Sequence, residues 1–167
     1  MSNNIILIGF MGAGKSSIGR ELAKLLDYVL IDTDALIESN LNLKIKDIFN
    51  EFGENYFREF EKHICKWLFC NTSNAIISTG GGAPMHWDAS FYENAGRIFY
   101  LDAPLQNIKL RLKGDFSRPL INDLDNLYES RKSIYEKIAH YKINTLDSIE
   151  NIAQKILKEG KIDVCIT

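Results

Sequence analysis

Near the start of the chain stand Gly9-Phe10-Met11-Gly12-Ala13-Gly14-Lys15-Ser16, with Ser17 following. The spacing fits G-x-x-x-x-G-K-[ST], the phosphate-binding P-loop. Its glycines let successive backbone N–H groups turn inward on phosphate oxygens, its lysine sets a charge on the β- and γ-phosphates, and its hydroxyl can ligate Mg²⁺. The positive end of the following helix adds to the attraction. Gly12, Ala13, Gly14, Lys15, Ser16 and Ser17 are therefore candidate nucleotide-binding residues, with Lys15 also catalytic and Ser16 a metal ligand. The plainer alternative is a glycine turn beside an exposed lysine. The flanks argue against it: residues 4–8 form an apolar, β-branched run, and Ile18, Leu22, Leu25 and Leu26 share one helix face.

Further polar residues fall where a parallel sheet would bring them to the same crevice, beyond the carboxyl ends of its strands. Asp32 and Asp34 are two apart, so in extended chain they project to the same side, where carboxylates beside a P-loop could hold Mg²⁺ waters and take a proton from an attacking hydroxyl. The competing reading is that Asp34 only caps a following helix. Gly80-Gly81-Gly82 costs chain entropy and implies close approach of a ligand or of backbone, or else a plain turn. Arg58 and Arg131, each on a helix, could grip an anion through bidentate pairing, or be solvated surface residues. Arg118 lies in an aperiodic stretch, where an arginine could fold over a transferring phosphoryl group or serve solubility alone. His63, His86 and His140 show no metal-ligand pairing. Trp67 and Trp87 read as packing residues.

The elements that must position these groups alternate along the chain. Strands are predicted at residues 4–8, 28–31, 75–78, 97–101 and 141–146. Helices are predicted after the P-loop, at 35–39, at 45–52 up to Gly53, at 54–69, from Pro104 with Leu105, Ile108 and Leu112 inward, at 123–140 and at 148–158, the last with Asp147 and Glu150 at capping-box spacing. Residues 113–121 read as a loop. Such alternation predicts an α/β fold with a parallel sheet covered on both faces. The 167 residues, 25% charged and 46% hydrophobic, fit one domain over 1–167. A formal net charge of −2 argues against a general nucleic-acid binder. No apolar run approaches a membrane span and no signal peptide is read, so a cytoplasmic address is expected. Cys65, Cys70 and Cys165 suggest neither disulfides nor zinc, and Cys65 and Cys70 are expected in the core.

Taken together the motifs resemble the shikimate kinase family. The resemblance rests on Gly9 to Gly19, on Asp32-Thr33-Asp34 with Ile37-Glu38, and on Phe57-Arg58 with Glu61. It continues through Ser78-Thr79-Gly80-Gly81-Gly82, Arg118-Pro119-Leu120, and Arg131 with Tyr135 and Ala139. It implies a three-layer α/β/α P-loop fold with a five-stranded parallel sheet in the order 2-3-1-4-5. It implies transfer of the γ-phosphoryl group of ATP to the 3-hydroxyl of shikimate, by a monomeric kinase that binds neither nucleic acid nor membrane. Asp34 would hold substrate hydroxyls and act as the base; Arg58 and Arg131 would pair with the substrate carboxylate; Gly80, Gly81 and Gly82 would give backbone contacts. Ser16 would bind Mg²⁺ directly and Asp32 through water, and Arg118 would belong to a lid over ATP at about 113–121. Ser17 stands where the family more often has threonine, the lid is short and poor in glycine, and no arginine follows Arg131 to meet the adenine.

The rivals are another small-molecule P-loop kinase, for gluconate or a nucleoside monophosphate, and a nucleotide-binding regulatory protein without turnover. A gluconate kinase would not be expected to carry Asp34, Arg58, the triple glycine and Arg131 together, and a nucleoside monophosphate kinase would be expected to have a longer lid richer in arginine. The second would be expected to have lost Lys15 or the acidic pair.

Overall fold

The computed structural model describes residues 3–112 and 123–164. Five strands, β1 (Ile5–Ile8), β2 (Val29–Asp32), β3 (Ala75–Ser78), β4 (Arg97–Asp102) and β5 (Tyr141–Asn144), form one sheet in the order β2-β3-β1-β4-β5, every pair parallel. In the centre of the sheet Ile6 lies level with Ile77 on one side and Ile98 on the other. Burial explains the sequence pattern: β1 and β3 are buried at every position, as continuous apolar runs require when helices cover both faces. The edge strands β2 and β5 are only partly buried.

On one face lie α1 (Lys15–Leu26) and α7 (Ile149–Glu159), packed against each other. The other carries α3 (Ile45–Asn71), a 3₁₀ turn (Ala83–His86) and α6 (Leu124–Ile138), the turn meeting both helices. Three short helices, α2 (Thr33–Leu41), α4 (Ala89–Tyr92) and α5 (Leu105–Leu112), complete the described chain. The bulk of the apolar side chains form one core about the sheet. A smaller cluster of Ile37, Ile48 and Phe57 sits between α2 and α3.

The expected helices at 45–52 and 54–69 are two arms of α3, joined at Gly53, whose φ of 82° and ψ of 166° are not helical. Other expectations need correction. Ser148, not Asp147, caps α7: its Oγ accepts from the Asn151 N–H at 3.2 Å, while Asp147 takes Ser148 N–H and the side chains of Asn151 and Lys155. Cys65 is in the core as expected, but Cys70 is exposed. Trp87 packs edge-on against Phe69, whereas Trp67 is 55% exposed. The inner face of α3 runs through Phe57, Glu61, Cys65 and Leu68. A carboxylate within it made the apolar stripe read as rotated toward Trp67.

One buried polar residue ties the sheet to α3. Asn4, fully buried ahead of β1, donates from Nδ2 to the Thr72 carbonyl (3.0 Å) and hydroxyl (3.1 Å), and accepts the Ala75 N–H at 3.1 Å. It thus satisfies the backbone of the α3–β3 connection. Asn4→Ala is expected to cost about 2–3 kcal/mol by orphaning the Ala75 N–H. Urea unfolding checks this: the midpoint should fall with the slope unchanged, and a loss under about 0.5 kcal/mol would mean that water replaces the amide.

Candidate functional site

The end of β1 passes into the P-loop, where Gly14, at φ 96°, starts α1 in a left-handed conformation without a side-chain cap. A residue with a Cβ would be strained there, and a capping side chain would compete for the first amides of the helix, which in this motif serve an anion. Lys15 is nearly buried; its Nζ donates to the carbonyls of Gly9 (2.8 Å) and Phe10 (2.9 Å). Ser16 Oγ donates to Asp32 Oδ2 at 2.7 Å, and Ser78 Oγ reaches the same oxygen at 3.3 Å.

Asp32 has a second task. Its Oδ1 accepts the N–H groups of Asp34 (3.1 Å) and Ala35 (3.3 Å), capping α2. The cap is therefore Asp32, and the carboxylate of Asp34 is not spent on it. Asp32 joins the ends of β2 and β3 to the P-loop hydroxyl. Among the described residues no three His, Cys, Asp or Glu side chains cluster to cage a metal. A hydroxyl hydrogen-bonded to a carboxylate beside a phosphate cradle suits Mg²⁺, which takes one or two protein oxygens and fills its octahedron with waters and phosphate oxygens.

Two crevices adjoin. One, about 380 Å³, is lined by the P-loop with Asp32, Ser78 and Thr79; the other, about 570 Å³, by Arg58, Glu61, Phe57, Gly80, Gly82 and Arg131 among others. Met11, Asp34 and Gly81 line both. Asp34 therefore stands at the junction, where a group bound in one crevice meets a group bound in the other.

The larger cavity has an unusual lining. Arg58 and Arg131 are 9% and 5% exposed, so neither is the solvated residue that helix position alone allowed. Arg58 Nη1 donates to Glu61 Oε2 at 2.7 Å, and its Nε and Nη2 donate to Glu54 Oε1 at 3.2 and 3.1 Å. Arg131 lies over the Phe10 ring, 5.6 Å from its centroid. Among the described residues no carboxylate forms an ion pair with it. Burial draws its pKa down. Glu61 attracts it without forming an ion pair, and a buried cation in no ion pair is costly unless an anion joins it. The Tyr135 hydroxyl donates to the Gly81 carbonyl, linking α6 to the glycine run.

That run is the floor of the cavity. A Cβ on Gly80 would collide with Glu61 Oε1 and lie 2.6 Å from Asp34 Oδ1; one on Gly82 would lie 2.5 Å from Arg58 Nη1. Close approach, one of the two sequence readings, is what the turn provides, and the protein's own charged groups make the approach. The Gly80 N–H donates to Thr33 Oγ1 at 3.0 Å.

The structure thus brings Gly12, Gly14, Lys15, Ser16, Ser17, Asp32, Asp34, Arg58, Gly80, Gly81, Gly82 and Arg131 to one double crevice, whereas Ala13 lines neither part of it and its N–H donates to the Phe10 carbonyl at 3.1 Å. Arg118 lies outside the described residues. Sequence reading passed over Arg111, at the end of α5, whose Nη1 donates to the Gly12 carbonyl at 2.9 Å. The signal was available: Arg111 follows the inward Ile108 by three residues and precedes the inward Leu112, which turns it toward the P-loop. Glu54, on Arg58, was also missed.

Comparison with known proteins agrees with this geometry. The sequence profile of the shikimate kinase family matches residues 11–161. A shikimate kinase of Helicobacter hepaticus is 43% identical over 160 residues, covering 93% of this chain and 94% of its own. A shikimate kinase from Acinetobacter baumannii, solved in complex with shikimate, superposes with a TM-score of 0.88 at 34% identity, covering 95% of this chain and 93% of that one. One from Aquifex aeolicus gives 0.84 at 34% identity, covering 95% and 97%.

Glu61 offers a test of the cavity's electrostatics. It is 1% exposed, its Oε1 has no hydrogen-bond partner, and burial pushes its pKa from 4.5 up to about 7 despite Arg58. Between those values the folded chain holds a proton that the unfolded chain has released, so this group's contribution is full below pH 4.5 and is lost as pH rises through 7. Glu61→Gln, which cannot ionise, should therefore gain on the order of 3 kcal/mol relative to the parent chain between pH 4.5 and 8. Urea unfolding at a series of pH values measures the difference, and parallel curves would place the Glu61 pKa at its ordinary value.

Proposed function

This chain belongs to the shikimate kinase family, and from that premise we propose that it transfers the γ-phosphoryl group of ATP to the 3-hydroxyl of shikimate, releasing ADP and shikimate 3-phosphate. The observation that carries the reading is the cavity holding two buried arginines, one of them in no ion pair among the described residues, directly beside a P-loop crevice. A small polyol with one carboxylate complements it. The carboxylate pairs with Arg131 and Arg58, the hydroxyls meet Asp34, and the backbone of Gly80, Gly81 and Gly82 lines the floor.

The reaction follows from position. The acceptor hydroxyl, held at the junction, loses its proton to the Asp34 carboxylate as its oxygen bonds to the γ-phosphorus and the bond from that phosphorus to the ADP oxygen breaks. Lys15 and the P-loop amides of Gly12, Gly14, Ser16 and Ser17 hold the phosphates and stabilise charge as it moves to the leaving group. Ser16 directly and Asp32 through water would hold Mg²⁺, which neutralises phosphate charge when bound. Arg118, outside the described residues, would stabilise the transferring phosphoryl group, as the family resemblance implies. The whole chain acts as one kinase domain, a monomer in the cytoplasm. A net charge of −2 supports the absence of a nucleic-acid role. No helix among the described residues is long and apolar enough to cross a membrane.

ADP release with Mg²⁺ and ATP, at equal concentrations of shikimate, gluconate and a panel of nucleoside monophosphates, tests the reading. Turnover on shikimate alone is expected; turnover on another acceptor, or on none, rejects it. Within that assay Arg131→Ala should raise the KM for shikimate roughly ten- to hundredfold while moving the KM for ATP less than about twofold. Equal effects on both would take Arg131 out of the acceptor site.

A further inference from the structure

Arg58 is flanked on its own helix by two carboxylates, Glu54 four residues before it and Glu61 three after. They are not equivalent. Glu61 is 1% exposed and lines the acceptor cavity. The Glu54 side chain is 51% exposed and is not among the residues lining that cavity, so it meets the guanidinium from the outer side. There a single oxygen, Oε1, accepts from both Nε at 3.2 Å and Nη2 at 3.1 Å. Glu61 Oε2 accepts from Nη1 at 2.7 Å. The rings of Phe57 and Phe49 lie 5.1 and 5.8 Å from Cζ. These three hydrogen bonds use three of the five guanidinium N–H groups and leave a further N–H on each terminal nitrogen.

Local structure favours this placement. Gly53 breaks α3 immediately before Glu54, so Glu54 opens the second arm, where a carboxylate gains from the helix dipole. Glutamate four residues ahead of arginine is also the favourable order for a pair on one helix face. The long, rotamer-rich arginine side chain is thereby ordered before an acceptor arrives, and an ordering cost that would otherwise weaken binding is removed from the association step.

We infer that Glu54 is a positioning residue: it holds the Arg58 guanidinium in the orientation that the acceptor's carboxylate requires, and so sets acceptor affinity without touching the acceptor. The inference rests on the acceptor reading given above.

Steady-state kinetics of the full chain test it, with shikimate and with its uncharged carboxamide as acceptors. Glu54→Ala should raise the KM for shikimate roughly three- to tenfold, with kcat, the KM for ATP and the KM for the carboxamide unchanged. Glu54→Gln, which keeps the single accepting oxygen, should restore the KM for shikimate to within about twofold of the parent value. Should Glu54→Ala melt below the assay temperature, Glu54→Asp, one methylene too short to span the contact, makes the same test. An equal rise for acid and amide would overturn the inference in favour of a merely structural role. A fall in the KM for shikimate would overturn it too, because Glu54 would then be competing with the acceptor for Arg58. Parent-chain turnover on shikimate with an unshifted KM in Glu54→Ala removes only the role of Glu54. No parent-chain turnover on shikimate removes the acceptor reading as well.

Discussion

The cost of burying two guanidinium groups in one cavity governs this structure. Arg58 and Arg131 cannot be deprotonated at physiological pH, and each lowers the other's comfort by like-charge repulsion. Arg58 is compensated by direct pairing with Glu61 and Glu54, Arg131 by the Phe10 ring and the more distant charge of Glu61. The balance is uneven by construction. Compensation complete within the protein would give a stable cavity with little need for a ligand; among the described residues Arg131 is in no ion pair, which is what the proposed acceptor carboxylate would supply. The same constraint explains the floor. With Glu61, Asp34 and Arg58 crowding the turn after β3, Gly80 and Gly82 have no space for a side chain.

Asp32 imposes the second constraint, because it connects the two crevices. One oxygen caps α2 and thereby fixes the backbone from which Asp34 projects; the other holds Ser16 and Ser78. Phosphate-side and acceptor-side chemistry are thus referenced to a single carboxylate at the end of an edge strand. Asp34 keeps its place at the junction without being consumed as a cap.

Much of this was legible in the residues and some was not, for physical reasons. The P-loop, the strand–helix alternation and the clustering at strand ends follow from periodicity and from the rule for open α/β sheets. The strand order came from the family resemblance, and the structure has it. Spacing offered Asp34 as a cap, but the cap is Asp32, because its place depends on where β2 ends, and that boundary is set by pairing with β3 rather than by local preference. The arginines were ambiguous for a similar reason. A helix residue is buried or solvated according to what packs against it: Arg131 lies over Phe10 from the P-loop, and Arg58 meets the Gly82 turn, both far away in sequence. Glu61 misled the periodicity outright: a carboxylate on the inner face of α3 broke the apolar stripe, and Trp67 was taken into the core in its place.

The cavity's walls come from different parts of the packing. Asp34, Arg58 and Glu61 ride on α2 and α3, whose junction is sealed by its own small core of Ile37, Ile48 and Phe57. Arg131 rides on α6, anchored in the main core through Tyr135 and Ile138. The P-loop follows β1, the most completely buried strand. On the proposed reading, phosphate groups meet the loop after that strand, while the acceptor lies between α3 and α6, which both pack into the main core, α3 reaching the small one as well. Preorganisation on the acceptor side cannot come from the sheet. It has to come from side chains that tie those helices to the glycine floor, and the Gly80 N–H on Thr33, the Gly81 carbonyl on Tyr135 and the packing of Gly82 on Arg58 are such ties, one for each glycine.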